Sequence, residues 1–230
     1  MNLQLIDLGR CPYRDAWELQ RSVHTQVVAS RHEGAVIIVE HPPVVTLGKN
    51  ADPRFVLMAP EALAGLGAEI VQIDRGGEVT AHMPGQLVMY PILRLGQFGL
   101  GPKTYVKGLE RAVIETLGEY GISAAVSADY PGVWVGTRKI CAVGIRIAER
   151  VSMHGIALNV DNGFELFQAI VPCGIQGRGV TSIGRELKSE VSMSEVACKL
   201  VANFSRILGC SIMALHGGVQ LPSSSQGSII

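Results

Sequence analysis

The spacing of apolar and polar positions changes period several times along the 230 residues. Residues 3–8 read as a first strand. Tyr13, Ala16, Trp17, Val23 and Val27 then recur near helical spacing and predict a helix over 13–30, entered at Pro12. Residues 35–39 are a continuous apolar run of strand length, stopped by His41-Pro42-Pro43. Shorter signals predict a strand over 44–47, a helix over 60–66 and strands over 69–74 and 86–93. Val106, Leu109, Val113, Leu117 and Tyr120 share one face of a helix over 105–120, with Gly121 at the capping position. Residues 133–135 and 139–147 flank Gly136-Thr137-Arg138 as a hairpin, and 151–160 follow as a third strand. Ser192-Met193-Ser194-Glu195 is a capping-box pattern; Val196, Leu200, Phe204 and Ile207 follow on one face, and Gly209 ends that helix. A strand over 211–215 and a flexible tail over 221–230 complete the chain.

Helices interleaved with hairpins, without strict βαβ alternation, predict an α+β fold: a single domain over 1–220 with a mixed central sheet and flanking helices. Composition agrees. The chain is 47% hydrophobic and 17% charged, with 20 basic and 20 acidic side chains and no net charge. That excludes a disordered chain and argues against a dedicated nucleic-acid binder. No apolar run approaches a membrane span, and the N-terminus lacks the layout of a secretory signal, so a soluble, cytoplasmic protein is expected. Cys11, Cys141, Cys173, Cys198 and Cys210 form no CxxC pair; neither a disulfide framework nor a metal site is expected. The 27 glycines are concentrated between Gly65 and Gly184, which points to unusual backbone geometry there.

Four segments hold candidate chemistry. Arg75-Gly76-Gly77-Glu78-Val79-Thr80-Ala81-His82-Met83-Pro84-Gly85-Gln86 is either a tight hairpin with a surface Arg and His, or a loop whose paired glycines let backbone N–H groups meet a ligand. It matches no phosphate-loop pattern. In Val171-Pro172-Cys173-Gly174, proline and glycine can hold a thiol in a defined position. A thiol of pKa about 8.5 is mostly protonated at neutral pH, so activity would require a cationic neighbour; the alternative is a loop cysteine without a role. Lys139 opens an otherwise apolar strand, either as an edge lysine that blunts the sheet or as a partly desolvated proton carrier. By strand period Cys141 shares its face, and it reads as core. His154 in Met153-His154-Gly155-Ile156-Ala157 reads as a structural hydrogen-bonder, with Gly155 and Ala157 leaving a groove. His24, His32, His41 and His216 are assigned nothing.

In this order, RGGEVTAHMPGQ, PGVWVGTRKICAVGIRI, HGIALNV and VPCGI with VTSIG, the chain closely resembles the octanoyltransferases of lipoate biosynthesis over nearly its whole length. The resemblance implies a fold similar to the catalytic domains of biotin and lipoate protein ligases. It implies transfer of an octanoyl or lipoyl group from acyl carrier protein to a lysine ε-amine, with no cofactor and no ATP. The acceptors would be lipoyl domains of oxo-acid dehydrogenase E2 subunits and the glycine-cleavage H protein. Cys173 matches the acyl-thioester nucleophile and Lys139 the lysine that lowers that thiol's pKa. The stretch from Arg75 to His82, with Ala142-Val143-Gly144 and Gly155-Ile156-Ala157, matches the substrate-binding segments. Met83 stands where many members have glycine, and is expected to narrow or reshape the acyl pocket. Both carriers are usually acidic, so a basic patch is expected from Arg138, Arg146, Arg178 and Arg185. The rivals are an ATP-dependent ligase, a non-catalytic acyl sensor and a thiol hydrolase using Cys173 with a histidine such as His82.

Overall fold

The computed structural model describes residues 1–128, 130–171 and 178–214. In chain order its strands and α-helices are β1 (Asn2–Arg10), α1 (Tyr13–Val28), β2 (Gly34–Glu40), β3 (Val44–Leu47), α2 (Pro60–Gly65), β4 (Glu69–Gln72), β5 (Val79–His82), β6 (Gln86–Leu93), α3 (Pro102–Gly118), β7 (Ala125–Val126), β8 (Val133–Val135), β9 (Arg138–Ala148), β10 (Val151–Asn159), α4 (Glu165–Gln168), α5 (Ile183–Leu187), α6 (Met193–Leu208) and β11 (Ser211–Ala214). Cys173, His216 and the expected tail lie outside the described residues.

The strands form an eight-stranded sheet in the order β11-β1-β2-β6-β10-β9-β8-β7 and a three-stranded sheet in the order β4-β3-β5. In the large sheet β11, β1 and β2 are parallel and the remaining pairs antiparallel. Parallel neighbours require a crossover, which α1 supplies between β1 and β2; Ala16, Val23 and Val27 are its buried stripe. β2 and β6 lie inside the sheet and are buried along nearly their full length. That explains their unbroken apolar runs in place of alternation.

The other face of the large sheet is covered by α3 and α6. Leu109, Val113 and Leu117 share one core with Val196, Leu200 and Phe204, each such burial stabilising by roughly 1.5–3 kcal/mol. The Ser192 hydroxyl accepts the Glu195 N–H at 3.3 Å at the start of α6, and Gly209 closes it in the left-handed conformation. The α+β expectation with a mixed sheet holds.

Three expectations fail. Residues 75–82 are not one loop, because 79–82 form β5, antiparallel to β3. Four residues between glycine-rich flanks are too few for alternation to stand out. Lys139 is not an edge lysine either, because β9 is paired on both sides and the side chain is only 6% exposed. Nor does Lys139 share a face with Cys141. The register against β8 slips by one residue, Trp134 facing Lys139 but Val133 facing Cys141. This leaves Ile140 as the extra residue of a β-bulge. Ile140 and Cys141 both enter the α3–α6 core, while Lys139 is turned to the opposite face beside Ala142. Re-aiming a side chain is what bulges near active sites do.

Candidate active site

The face of the large sheet opposite α3 and α6 is shared by α1 and the small sheet, and a cavity of about 250 Å³ lies there. Its floor is the β9–β10 hairpin. Ala142 faces Ala157 and Gly144 faces Gly155 in register, so the floor carries nothing larger than a methyl group over two facing pairs. β5 and the loop before it form the opposite wall through Arg75, Gly77, Glu78, Thr80 and His82. Val143 and Ile156 also line the space. The residues predicted to bind substrate therefore converge, with three exceptions. Val79 and Ala81 alternate with Thr80 and His82 along β5 and pack into the small-sheet core instead. Gly76 acts through its backbone, its N–H donating to the Ile145 carbonyl at 3.0 Å and pinning the loop to β9. The missing side chain of Gly144 makes room for Arg75, whose Cδ lies 3.0 Å from where a Cβ would stand. Gly155 works differently from the open groove expected of it: a Cβ there would meet the Met89 carbonyl at 2.2 Å, so the glycine permits close approach of β6.

Met83 does not reach the cavity. It is buried with Val45, Leu47 and Leu63 in the small-sheet core, and the expectation that it reshapes the pocket is withdrawn.

A narrower pocket containing Lys139 adjoins this space and shares Thr80, Ala142 and Ala157 with it. The Lys139 ammonium sits 4.9 Å from the centre of the Trp134 ring. Its backbone bonds the segment that re-enters the described chain after residue 177: the Lys139 N–H donates to the Gly179 carbonyl at 2.9 Å, and the Thr181 N–H to the Lys139 carbonyl at 3.0 Å. A hydrogen-bond chain links β5 to the same segment. His82 Nδ1–H donates to Gln86 Oε1 at 2.7 Å, Gln86 to Asn159 Oδ1 at 2.9 Å, and Asn159 to the Thr181 carbonyl at 2.9 Å.

Beneath the cavity lies a buried group that the sequence reading left unassigned. His41 Nδ1 donates to the Cys11 carbonyl at 2.8 Å, so its Nε2 accepts from the Tyr90 hydroxyl at 2.9 Å. Tyr13 stacks on His82 with centroids 5.7 Å apart, and His41 meets His82 edge-on at 5.6 Å. Burial pushes His82 down to about 3 and His41 down to about 4. Burial also lowers His154, and the His154 hydrogen bond holds the Asp74 carboxyl below its usual range. The cavity wall thus contains neutral imidazoles at physiological pH. Tyr13, Val88, Tyr90, Tyr130, Pro131 and His154 line it without having been predicted. Tyr13 had the helical spacing of an ordinary core residue, and Val88 and Tyr90 sit in an unbroken apolar run.

The four arginines are engaged with different partners. Arg138 pairs with Glu186 at 3.1 Å and Arg146 with Asp74 at 3.3 Å. They are eight residues apart on β9, up to about 26 Å of strand. Arg178 lies over Tyr130 and Trp134, next to Lys139, and Arg185 over Phe164. No described group of His, Cys, Asp and Glu is arranged to hold a metal ion. No described helix is long and apolar enough to cross a membrane.

The lipoyl protein ligase A/B catalytic domain family matches residues 12–205. An octanoyltransferase of Chloroflexus aggregans is 46% identical over 208 residues, 89% of this chain and 94% of that one. The chain belongs to the octanoyltransferases of the lipoyl protein ligase A/B family. Its fold is that of more distant relatives as well. A lipoate-protein ligase A bound with ATP superposes with a TM-score of 0.73 at 16% identity, covering 94% of this chain and 90% of that one. The Thermoplasma acidophilum bi-partite lipoate protein ligase, described with its E2 lipoyl domain, gives 0.67 at 15% identity, covering 96% and 88%. The octanoyltransferase chain therefore keeps the ligase architecture, with α3 and α6 backing the sheet that carries its cavity.

Proposed function

We propose that this enzyme transfers an octanoyl group, in protein lipoylation, from a thioester on acyl carrier protein to the ε-amine of a lysine on a lipoyl domain, by way of a thioester on Cys173. The observation that carries the reading is the apolar cavity floored by Ala142, Gly144, Gly155 and Ala157, with Lys139 in the pocket that adjoins it. A medium acyl chain fits such a space. Each methylene removed from water is worth about 0.8 kcal/mol, so the chain itself supplies several kcal/mol of binding.

Cys173 lies outside the described residues, but the described chain on either side of it is tied into the fold. Val171 donates to the Phe55 carbonyl at 2.8 Å, and Arg178 lies over the Trp134 ring that Lys139 also faces. In the first half-reaction the Cys173 thiolate attacks the donor carbonyl. The bond to the carrier's sulfur breaks, and that sulfur leaves as a thiol with the proton that Lys139 had taken from Cys173. In the second, the acceptor amine attacks the Cys173 thioester, the C–S bond breaks, and an amide forms. Lys139 stabilises the thiolate as an ammonium and, neutral once the carrier thiol has left, takes the proton that the amine loses, a contribution of the general-base kind worth about 10²–10⁴-fold. Thioester exchange is nearly isoenergetic and amide formation from a thioester is downhill, so no ATP enters.

The test mixes the protein, octanoyl-acyl carrier protein and a lipoyl domain without nucleotide, and follows the mass of the lipoyl domain. The expected product is a lysine octanoyl amide, with ping-pong kinetics. Product that forms only with free octanoate and ATP, or release of free octanoate as the main outcome, overturns the reading.

A further inference from the structure

The cavity floor ends at an unusual residue. Beyond the Gly144–Gly155 pair, the next facing pair on the hairpin is Ile145 and His154, and His154 lines the cavity. His154 is 1% exposed and is held from several sides. Its Nε2–H donates to Asp74 Oδ1, just after β4, at 2.8 Å. The other Asp74 oxygen is paired with Arg146 of β9 at 3.3 Å. The His154 backbone N–H donates to Gln20 Oε1 of α1 at 2.9 Å, and the ring meets Tyr90 edge-on at 6.4 Å.

The backbone there is strained. His154 has φ +56° in the middle of a strand, a left-handed conformation that disfavours a residue with a Cβ. Its Nδ1 is buried without a hydrogen-bond partner among the described residues. Strain and an unsatisfied ring nitrogen together point to function more than to packing. The function is not the acyl-transfer chemistry itself. The Lys139 side chain lies beside Ala142, which precedes Ile145, the strand partner of His154, by three residues, about 10 Å along β9. The cavity floor thus has Lys139 beside the Ala142–Ala157 pair at one end and His154 just past the Gly144–Gly155 pair at the other.

We propose that His154 is the end stop of the acyl cavity and sets the chain length the enzyme accepts, with Asp74 and Arg146 as the positioning residues that keep the ring from swinging away. The inference rests on the acyl-transfer reading above. From Ala142 to Ile145 the strand advances about 10 Å, which matches an extended eight-carbon chain. The terminal methyl then abuts the imidazole, and two further methylenes have no room.

The test compares kcat/KM for hexanoyl, octanoyl, decanoyl and dodecanoyl thioesters of acyl carrier protein. The variants are His154→Gly, which suits the positive φ while deleting the ring, and Asp74→Asn, which keeps the ring and loosens its hold. His154→Gly is expected to raise the decanoyl-to-octanoyl ratio about tenfold, the worth of two buried methylenes, with the change in KM; Asp74→Asn is expected to raise it less. An unchanged ratio in both variants, or an equal loss for every chain length, overturns the proposal. If His154→Gly fails to fold, the ratio in Asp74→Asn decides alone. Absence of transfer by the unaltered protein defeats the acyl-transfer reading instead.

Discussion

On the α3–α6 face of the large sheet, Leu109, Val113, Leu117, Leu200 and Phe204 close against one another and against the strands with almost no exposure. On the opposite face the same strands present Ala142, Gly144, Gly155 and Ala157, and the space left open is ringed by Tyr13, His82, Tyr90 and His154. One face is a conventional apolar core. The other holds imidazoles forced neutral, a strained histidine and a buried lysine, each of which costs stability. A sheet with two faces can separate these demands: the first supplies the folding energy that the second consumes.

Substitutions should divide along the same line. Lys139→Ala is expected to lower kcat/KM by about 10²–10⁴-fold and to raise the pH at which Cys173 is alkylated; an unchanged alkylation profile would remove Lys139 from its role. Phe204→Ala on the packed face should do the reverse, costing about 3–5 kcal/mol of stability while kcat/KM per folded molecule stays near that of the unaltered protein. Denaturant titration with an active-site count measures both. Acid should act through the cavity face. His41 and His82 titrate near 4 and 3 when folded but near 6.5 when unfolded, so below pH 6.5 the unfolded chain binds protons that the folded one does not. Stability should therefore fall as pH drops from about 6.5 toward 4, by up to about 1.4 kcal/mol per pH unit for each histidine. A flat melting temperature across that window would mean that these imidazoles are solvated. The smallest effect is expected at Met83→Leu, under about 1.5 kcal/mol with the chain-length profile unmoved; a shifted profile would return Met83 to the pocket.

The packed face was the more legible in the sequence. Its helices announce themselves by an apolar stripe and by caps, as Ser192 and Gly209 do for α6. The substrate segments were legible through their motifs, but not which side chains in them point inward. Thr80 and His82 face the cavity while Val79 and Ala81 do not, and that follows from β5 being a strand, which its flanking glycines concealed. The bulge at Ile140 defeats any reading by period, since one extra residue turns Lys139 and Cys141 to opposite faces. His154 was visible as a residue but not as a constraint. Its partners Gln20 and Asp74 are 134 and 80 positions away, and no local pattern announces contacts of that range.

The proposed covalent intermediate on Cys173 can be read from the intact mass of the protein. After incubation with octanoyl-acyl carrier protein and no acceptor, the protein is predicted to carry a single octanoyl group that maps to Cys173, is removed by hydroxylamine and is absent from Cys173→Ser. An adduct that persists in Cys173→Ser, or an unmodified protein that nonetheless delivers octanoyl groups to lipoyl domains, would contradict it.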